Sequence, residues 1–334
     1  MTILYYSKVN VNSNIFSVYD KQISISEIMN LIYNALDDKK EYVKKDIRNF
    51  KDNDTGESRT IESQEIYNFS ELIKFKDVNE MYIMGKLVRR YPIHGESFDD
   101  KTRKSIPIVH ENNATSIPFY FDLHSEVITF HVRNKFGYKQ FNEAFRNLLD
   151  EFIYDVGFEV FLLNDPFKVY ERLEMLQKVR KIRSTIIPPN ANEEALEDLF
   201  NRETEELKQS NITKKTSIFE THKKNDKGIN IKARMVKHTL DISKVYIERG
   251  YGKLEVEGET ADGTHFRYDS EKDSYYNTSI EEEHKDNMEK LKDAAKRGIY
   301  SFFSKMKINK ENINHSSFIK DKGNKNFING DIDE

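Results

Sequence analysis

The segment that decides the fold is residues 117–152, IPFYFDLHSEVITFHVRNKFGYKQFNEAFRNLLDEF. Its first half contains two short runs rich in aromatic and β-branched side chains, which predicts two neighbouring strands. Its second half repeats apolar side chains every three or four residues, the spacing of a helix with one buried face. These helix positions are Tyr138, Phe141, Phe145, Leu148, Leu149 and Phe152. Two strands followed by a helix that must pack on them predict an α+β fold.

The sequence before this segment predicts short elements separated by polar connectors. A hairpin is expected around the turn-forming Asn12-Ser13-Asn14, followed by a short helix that begins near Ser26. Residues 72–75 and 81–88 have the composition of strands, whereas the polar stretches 52–63 and 94–103 are predicted to be connectors. The polar stretch 37–51 is predicted to be a loop or a poor continuation of the helix.

The sequence after it continues the pattern of strands and helices. Strands are predicted at residues 157–163 and 178–187, and a hairpin turns at Asp262-Gly263. A closing helix is expected from about Ile280 to Phe303. Together these elements predict mixed, mostly antiparallel sheets with packed helices.

Three units are predicted along the chain. The first is an N-terminal α+β lobe at residues 1–110, and the second is an α+β body at residues 111–307. The third, residues 308–334, is rich in Asn, Lys, Ser and Asp and has little apolar surface to bury. This composition predicts a disordered C-terminal tail.

Composition narrows the class of protein. At 334 residues, 37% hydrophobic and 33% charged, with a mean hydropathy of -0.76, the chain is typical of a well-solvated globular protein. It has neither an apolar run of bilayer length nor a secretory signal, so we expect a cytoplasmic protein. The absence of cysteine excludes disulfides, Cys-ligated zinc and a thiol nucleophile. With a net charge of -4, any binding site for a polyanion must be a local patch.

Two basic stretches are candidates for such a patch. The strand Lys178–Ile187 begins with cations that project to both faces, which is unusual for a core strand and indicates an exposed edge. Such an edge can contact a polyanion, or its charges can simply protect it from aggregation. The second stretch is a loop whose flexible lysines suit phosphate contact without base readout, or are merely solvated. It is followed by Lys232, Arg234 and Lys237. The DNA-binding residues predicted from charge and placement are Lys178, Arg180, Lys181, Arg183, Lys223, Lys224 and Lys227.

Catalytic signatures are lacking. The sequence has no phosphate-binding loop, dinucleotide fingerprint, serine-hydrolase elbow or zinc-protease motif, and its histidines show no ligand spacing. No catalytic residue, metal or cofactor is therefore predicted. The nearest approach to a nuclease site is Asp165 with Lys168, which keeps a metal-dependent nuclease as an alternative. A protein-interaction scaffold that uses the acidic helix Glu193–Glu206 and the tail is another. The strand-spaced pair Glu255 and Glu257 is typical of a solvated strand face.

The order of elements from Phe119 onward resembles the RexA family of phage-exclusion proteins and related phage-defence proteins. The resemblance lies in the pieces FYFDLHSEVITFHVRNKFGYKQFNEAFRNLL, FEVFLLNDPFKVYERL, STIIPPNAN and GKLEVEGETADGTHFRYDS, and it covers half to two thirds of the chain. It implies an α+β body, a homodimer, sequence-independent binding of duplex DNA and a membrane-protein partner encoded nearby. No motif of the family transfers residue by residue.

Overall fold

The computed structural model describes residues 1–51, 58–165, 176–190, 200–222, 224 and 227–316. In this part of the chain, helices and antiparallel strands are intermixed, which confirms the predicted α+β class. The strands are β1 (Thr2–Val11), β2 (Glu41–Lys51), β3 (Ser58–Lys76), β4 (Met81–Asp99), β5 (Lys104–Asp122), β6 (Val127–Phe130), β7 (Phe158–Leu162), β8 (Lys178–Ile186), β9 (Lys215–Glu220), β10 (Gly252–Glu259), β11 (His265–Asp269) and β12 (Asn277–Ile280). The helices are α1 (Ile15–Tyr19), α2 (Ile25–Ala35), α3 (Tyr138–Phe152), α4 (Phe200–Gln209), α5 (Arg234–Glu248), α6 (Ser270–Asp273) and α7 (Met288–Ser316), with a 3-10 helix at Glu282–His284.

The larger sheet has the order β12-β1-β6-β5-β4-β3-β2, and β7 also pairs with β1. The predicted strand, strand and helix of residues 117–152 are confirmed as the end of β5, β6 and α3. Phe145 of α3 lies against Phe69, Phe119 and Phe121 of the sheet, with ring centroids 5.1, 5.3 and 5.7 Å apart. The apolar stripe of α3 therefore forms the main core, together with α2.

The opposite face of this sheet is covered by α7. Leu291, Ala295 and Phe302 of α7 belong to one buried cluster with Tyr6 and Tyr120 of the sheet. Because both faces are covered, the centre of the larger sheet is buried on both sides.

The larger sheet extends well beyond the predicted strands. Strands β3, β4 and β5 each have 19 residues. Strand β2 occupies much of the polar stretch 37–51, which was predicted to be a loop or a poor continuation of the helix. Antiparallel neighbours satisfy these backbones even where the side chains are polar. The boundary predicted at residue 110 falls inside β5, so the sheet combines strands from both predicted units. Residues 52–57 lie outside the described part of the chain.

The predicted N-terminal hairpin is wrong. Strand β1 runs unbroken to Val11, and the turn after it leads into α1, whose Ile15 and Val18 are buried. The helix predicted near Ser26 is confirmed, although its N-cap is Ser24, which forms a capping box with Glu27.

The closing helix begins later than predicted and ends later. Ile280, the expected start, lies in β12 opposite Thr2, and α7 begins at Met288. The helix reaches Ser316, which is within the segment predicted as a tail, and residues 317–334 lie outside the described residues. Among the described helices, none is long and apolar enough to cross a membrane.

The smaller sheet has the order β11-β10-β8-β9. Helix α5 covers one face, where Val236 and Ile247 pack in a cluster with Val179, Ile182 and Leu254. The predicted hairpin is confirmed as β10 and β11, and its Gly263 has a φ of +82°, a conformation that favours glycine. The other face of this sheet, which carries Arg183, Glu255 and Glu257, is called the open face below.

Candidate nucleic-acid interface

The first predicted basic stretch lies inside the smaller sheet. Strand β8 pairs with β10 on one side and with β9 on the other, so the expected edge position is wrong. The short, polar strand β9 takes the edge instead. A weak strand signal in β9 and a strong charge signal in β8 explain why sequence alone suggested the reverse.

The cations of β8 are largely neutralised by glutamates of the neighbouring strands. Arg180 Nε lies 3.0 Å from Glu259 Oε1, and Lys178 Nζ lies 3.9 Å from the other oxygen of that carboxylate. Lys181 forms an ion pair with Glu220 of β9. These pairings need a register between distant segments, so the sequence run of cations does not amount to a free basic patch.

Arg183 is the exception among the four predicted cations of β8. It is exposed and lies opposite Glu255 of β10 and Ile218 of β9. It forms no ion pair with any described residue. Glu255 is instead held by Arg267 of β11 at 3.0 Å, and Glu257 lies 3.6 Å from the same guanidinium. The two glutamates thus share the open face as expected and are occupied by a cation.

The loop after β9 folds back onto β8. The backbone N–H of Thr221 donates to the carbonyl of Arg180 at 3.0 Å, and that of Ile229 donates to the carbonyl of Val179 at 2.8 Å. Gly228 makes this close approach feasible, because its φ is +70° and a Cβ atom there would lie 2.8 Å from the Val179 carbonyl oxygen. The loop therefore brings the second predicted basic stretch to the beginning of β8.

Two of the three predicted loop lysines are described, and both are exposed. Lys224 and Lys227 lie between the two points where the loop bonds to β8. Lys223 lies outside the described residues. The two basic stretches, 45 positions apart between Lys178 and Lys223 in the sequence, thus meet at one end of the smaller sheet.

Helix α5 begins at this same end and adds further cations. Val236, in its first turn, shares a buried cluster with Val179, and Lys232, Arg234 and Lys237 around it are exposed. Together, the exposed residues Lys224, Lys227, Lys232, Arg234 and Lys237 form what we call the basic end. Within the described chain, ion pairs are absent for four of them, Lys224, Lys232, Arg234 and Lys237.

The start of α5 also leaves backbone donors open. The N-cap residue is Ala233, which has no side chain to accept a hydrogen bond, and the first helical bond runs from Lys237 N–H to the Ala233 carbonyl at 2.9 Å. The N–H groups of the first turn therefore point out of the helix with positive partial charge. Sequence reasoning missed this feature because the helix starts without a typical capping residue.

The alternative sites find less support in the described residues. Asp165 Oδ2 lies 3.6 Å from Lys305 Nζ, and Lys168 lies outside the described part. Only the end of the predicted acidic helix is described, as α4, because residues 191–199 lie outside the described part of the chain. Glu281, Glu283 and His284 have ligand atoms within 4.8 Å of one another, but they lie on the surface, where His284 is placed to pair with both glutamates.

The fold and the site define an α+β protein with a doubly covered larger sheet and a smaller sheet that carries a basic end. A family model described as "Domain of unknown function (DUF4747)" matches residues 29–297. The chain therefore belongs to the DUF4747 family. The match begins within α2 and ends within α7, so it includes the whole smaller sheet and the basic end. No curated protein matches the sequence.

Proposed function

We propose that this protein binds duplex DNA without sequence preference, through the basic end, as a cytoplasmic component of phage defence. The observation that carries the DNA binding is the convergence of exposed cations, four of which form no ion pair with a described residue, on the open N-terminus of α5. The role in phage defence, a homodimeric state and a membrane-protein partner rest on the resemblance to the RexA family alone.

Duplex DNA fits this surface for an electrostatic reason. DNA presents a dense line of phosphates, and lysine side chains bind them without reading bases. The first-turn N–H groups of α5 add donors of the kind that hold phosphate oxygens at helix N-termini. Because the whole chain has a net charge of -4, an approach elsewhere is opposed, and the basic end sets the orientation. Among the residues first expected to bind DNA, Lys224 and Lys227 belong to the basic end, and Arg183 lies on the open face.

The test is a mobility-shift titration of a duplex with wild type and with the triple variant Lys224→Gln, Lys232→Gln, Arg234→Gln. We expect wild-type affinity to fall by about two decades between about 50 and 200 mM salt if roughly four phosphate contacts form. The triple variant should lose roughly 100-fold or more in affinity, because three contacts are removed. Its fold should be unchanged by circular dichroism, since all three side chains are exposed.

The matched control is the triple variant Lys101→Gln, Lys272→Gln, Lys290→Gln, which makes the same change in net charge at exposed positions elsewhere. It should bind like wild type. Equal losses in the two triple variants would show that net charge, not the basic end, governs binding, and a wild type that does not shift DNA at low salt would refute the proposal. Nicking of plasmid DNA in the presence of magnesium would instead favour the nuclease alternative.

A further inference from the structure

A separate cavity lies between α3, which packs on the larger sheet, and the beginning of β10 in the smaller sheet. Its volume is about 240 Å³, below the roughly 300 to 1,000 Å³ of sites for drug-sized ligands. One side is the polar stripe of α3, with Lys139, Asn142, Glu143 and Arg146 at helical spacing. The other sides are formed by Glu159, Val160, Phe161, Lys214, Lys253 and Glu271.

Most charges in this cavity already have partners. Glu159 accepts from Lys214 at 2.6 Å and lies 3.7 Å from Arg146, and Glu143 is held by Lys44 outside the cavity at 2.8 Å. Lys139 is 3.3 Å from Asp269, which also lies outside the lining. The carboxylates of the lining are therefore occupied.

Two donor groups of the lining have no described partner. Lys253 is half-buried and forms no ion pair in the described residues. Asn142 is 6% exposed, and its Oδ1 accepts from Ser7 Oγ at 2.8 Å, which leaves its NH₂ group without a described hydrogen bond. Burial raises the pKa of Glu271, which is 8% exposed and whose Oε1 accepts from the backbone N–H of Leu162 at 3.4 Å.

The charge of the lining follows from these contacts. Four cations face three carboxylates, and Glu143 is paired with Lys44 outside the cavity, so the lining is positive overall. A small cavity with surplus donors and surplus positive charge selects an anion rich in acceptor oxygens.

We propose that this cavity is a binding site for a phosphate group. The phosphate is either that of a small molecule or one carried by a nucleic-acid backbone. The inference does not depend on DNA binding by the basic end, because the two sites share no residue.

The test is calorimetric titration of the full chain with inorganic phosphate, using two variants with opposite expected effects. Arg146→Gln should weaken phosphate binding by about tenfold, as one charge-assisted contact is lost. Glu159→Gln should tighten it several-fold, because the substitution frees Arg146 and Lys214 from their anion. Lys290→Gln, exposed and outside the cavity, is the control and should match wild type. A general disturbance of the fold would weaken binding in both cavity variants and could not produce opposite signs.

The source of the phosphate is decided by a duplex mobility shift with Arg146→Gln. Loss of phosphate binding with unchanged DNA affinity identifies a small-molecule site, whereas loss of both identifies a backbone phosphate. If wild type binds no inorganic phosphate at millimolar concentration, or if the two variants shift affinity in the same direction, the proposal is overturned. Failure of the basic-end variants to affect DNA would leave these titrations unchanged, so the two proposals fail separately.

Discussion

The two ends of α5 differ in the exposure of their charged side chains. At its beginning, Arg234 and Lys237 are exposed and the N-cap has no side-chain acceptor. At its end, Glu248 is 5% exposed, and its Oε1 is buried without a hydrogen bond to any described group. An acidic residue in the last turn also opposes the helix dipole. The cations at the beginning of α5 are thus available to a ligand, whereas the buried carboxylate at its end lowers the stability of the fold when it is ionised.

The largest expected effect is at the buried end. Burial raises the pKa of Glu248 to about 7, and the neighbouring Lys244, whose pKa burial lowers to about 8, opposes this shift only in part. A carboxyl group whose pKa is raised in the folded state contributes its full share of the folding stability below its unfolded-state pKa. This contribution is lost as pH rises through the folded-state pKa. Wild-type stability should therefore fall as pH rises from about 4.5 to 7, by about 2 to 3 kcal/mol. Glu248→Gln should remove the part of this fall that comes from Glu248.

The measurement is urea unfolding at several pH values between these limits. The matched control is Glu151→Gln, an exposed glutamate on the helix α3, which should keep the wild-type pH profile. A Glu248→Gln profile with the wild-type slope would show that this carboxyl ionises normally in the folded state.

A smaller effect, on DNA binding, is expected at the exposed end of α5. The experiment compares a cation of this end with a cation of β8. Lys232→Gln should lower DNA affinity several-fold and reduce the salt slope by about 0.9, as one phosphate contact is lost. Arg180→Gln should leave the slope unchanged, because Arg180 is already held by Glu259 at 3.0 Å. Salt titrations of the mobility shift give both slopes. Equal reductions would mean that DNA displaces the ion pairs of β8.

The smallest expected effect comes from filling the open N-cap. Ala233 has φ and ψ of -61° and 136°, an extended conformation that a capping serine can adopt. Ala233→Ser should stabilise the protein by about 0.5 to 1 kcal/mol, because its hydroxyl accepts from the first turn. The same contact competes with phosphate, so DNA affinity should fall a few-fold. Ala233→Gly, which adds no acceptor, is the control for affinity, and tighter DNA binding by the serine variant would contradict the role of these N–H groups.

Sequence reasoning succeeded where a pattern is local and one face is buried. The stripe of α3 and the alternation in β10 are such patterns, and both elements are confirmed. It failed for β2 and the outer parts of β4 and β5, where polar strands are held by backbone pairing with their neighbours. It also failed for the β8 cations, because the ion pair between Arg180 and Glu259 joins residues 79 positions apart. The candidate interface was therefore only half predictable. The loop lysines were found from composition, whereas their meeting with α5 depends on backbone bonds to β8.

The pairing of β1 with β12 can form only late in the synthesis of the chain. Thr2 lies opposite Ile280, so the partner of the first strand is synthesised about 280 residues later, roughly 14 to 56 s after it at usual rates of translation. Strands β6 and β7, which also pair with β1, are synthesised before β12. The smaller sheet, from β8 to β11, is complete in sequence before β12 emerges. The part of the molecule that carries the basic end can thus mature before the larger sheet receives its last strand.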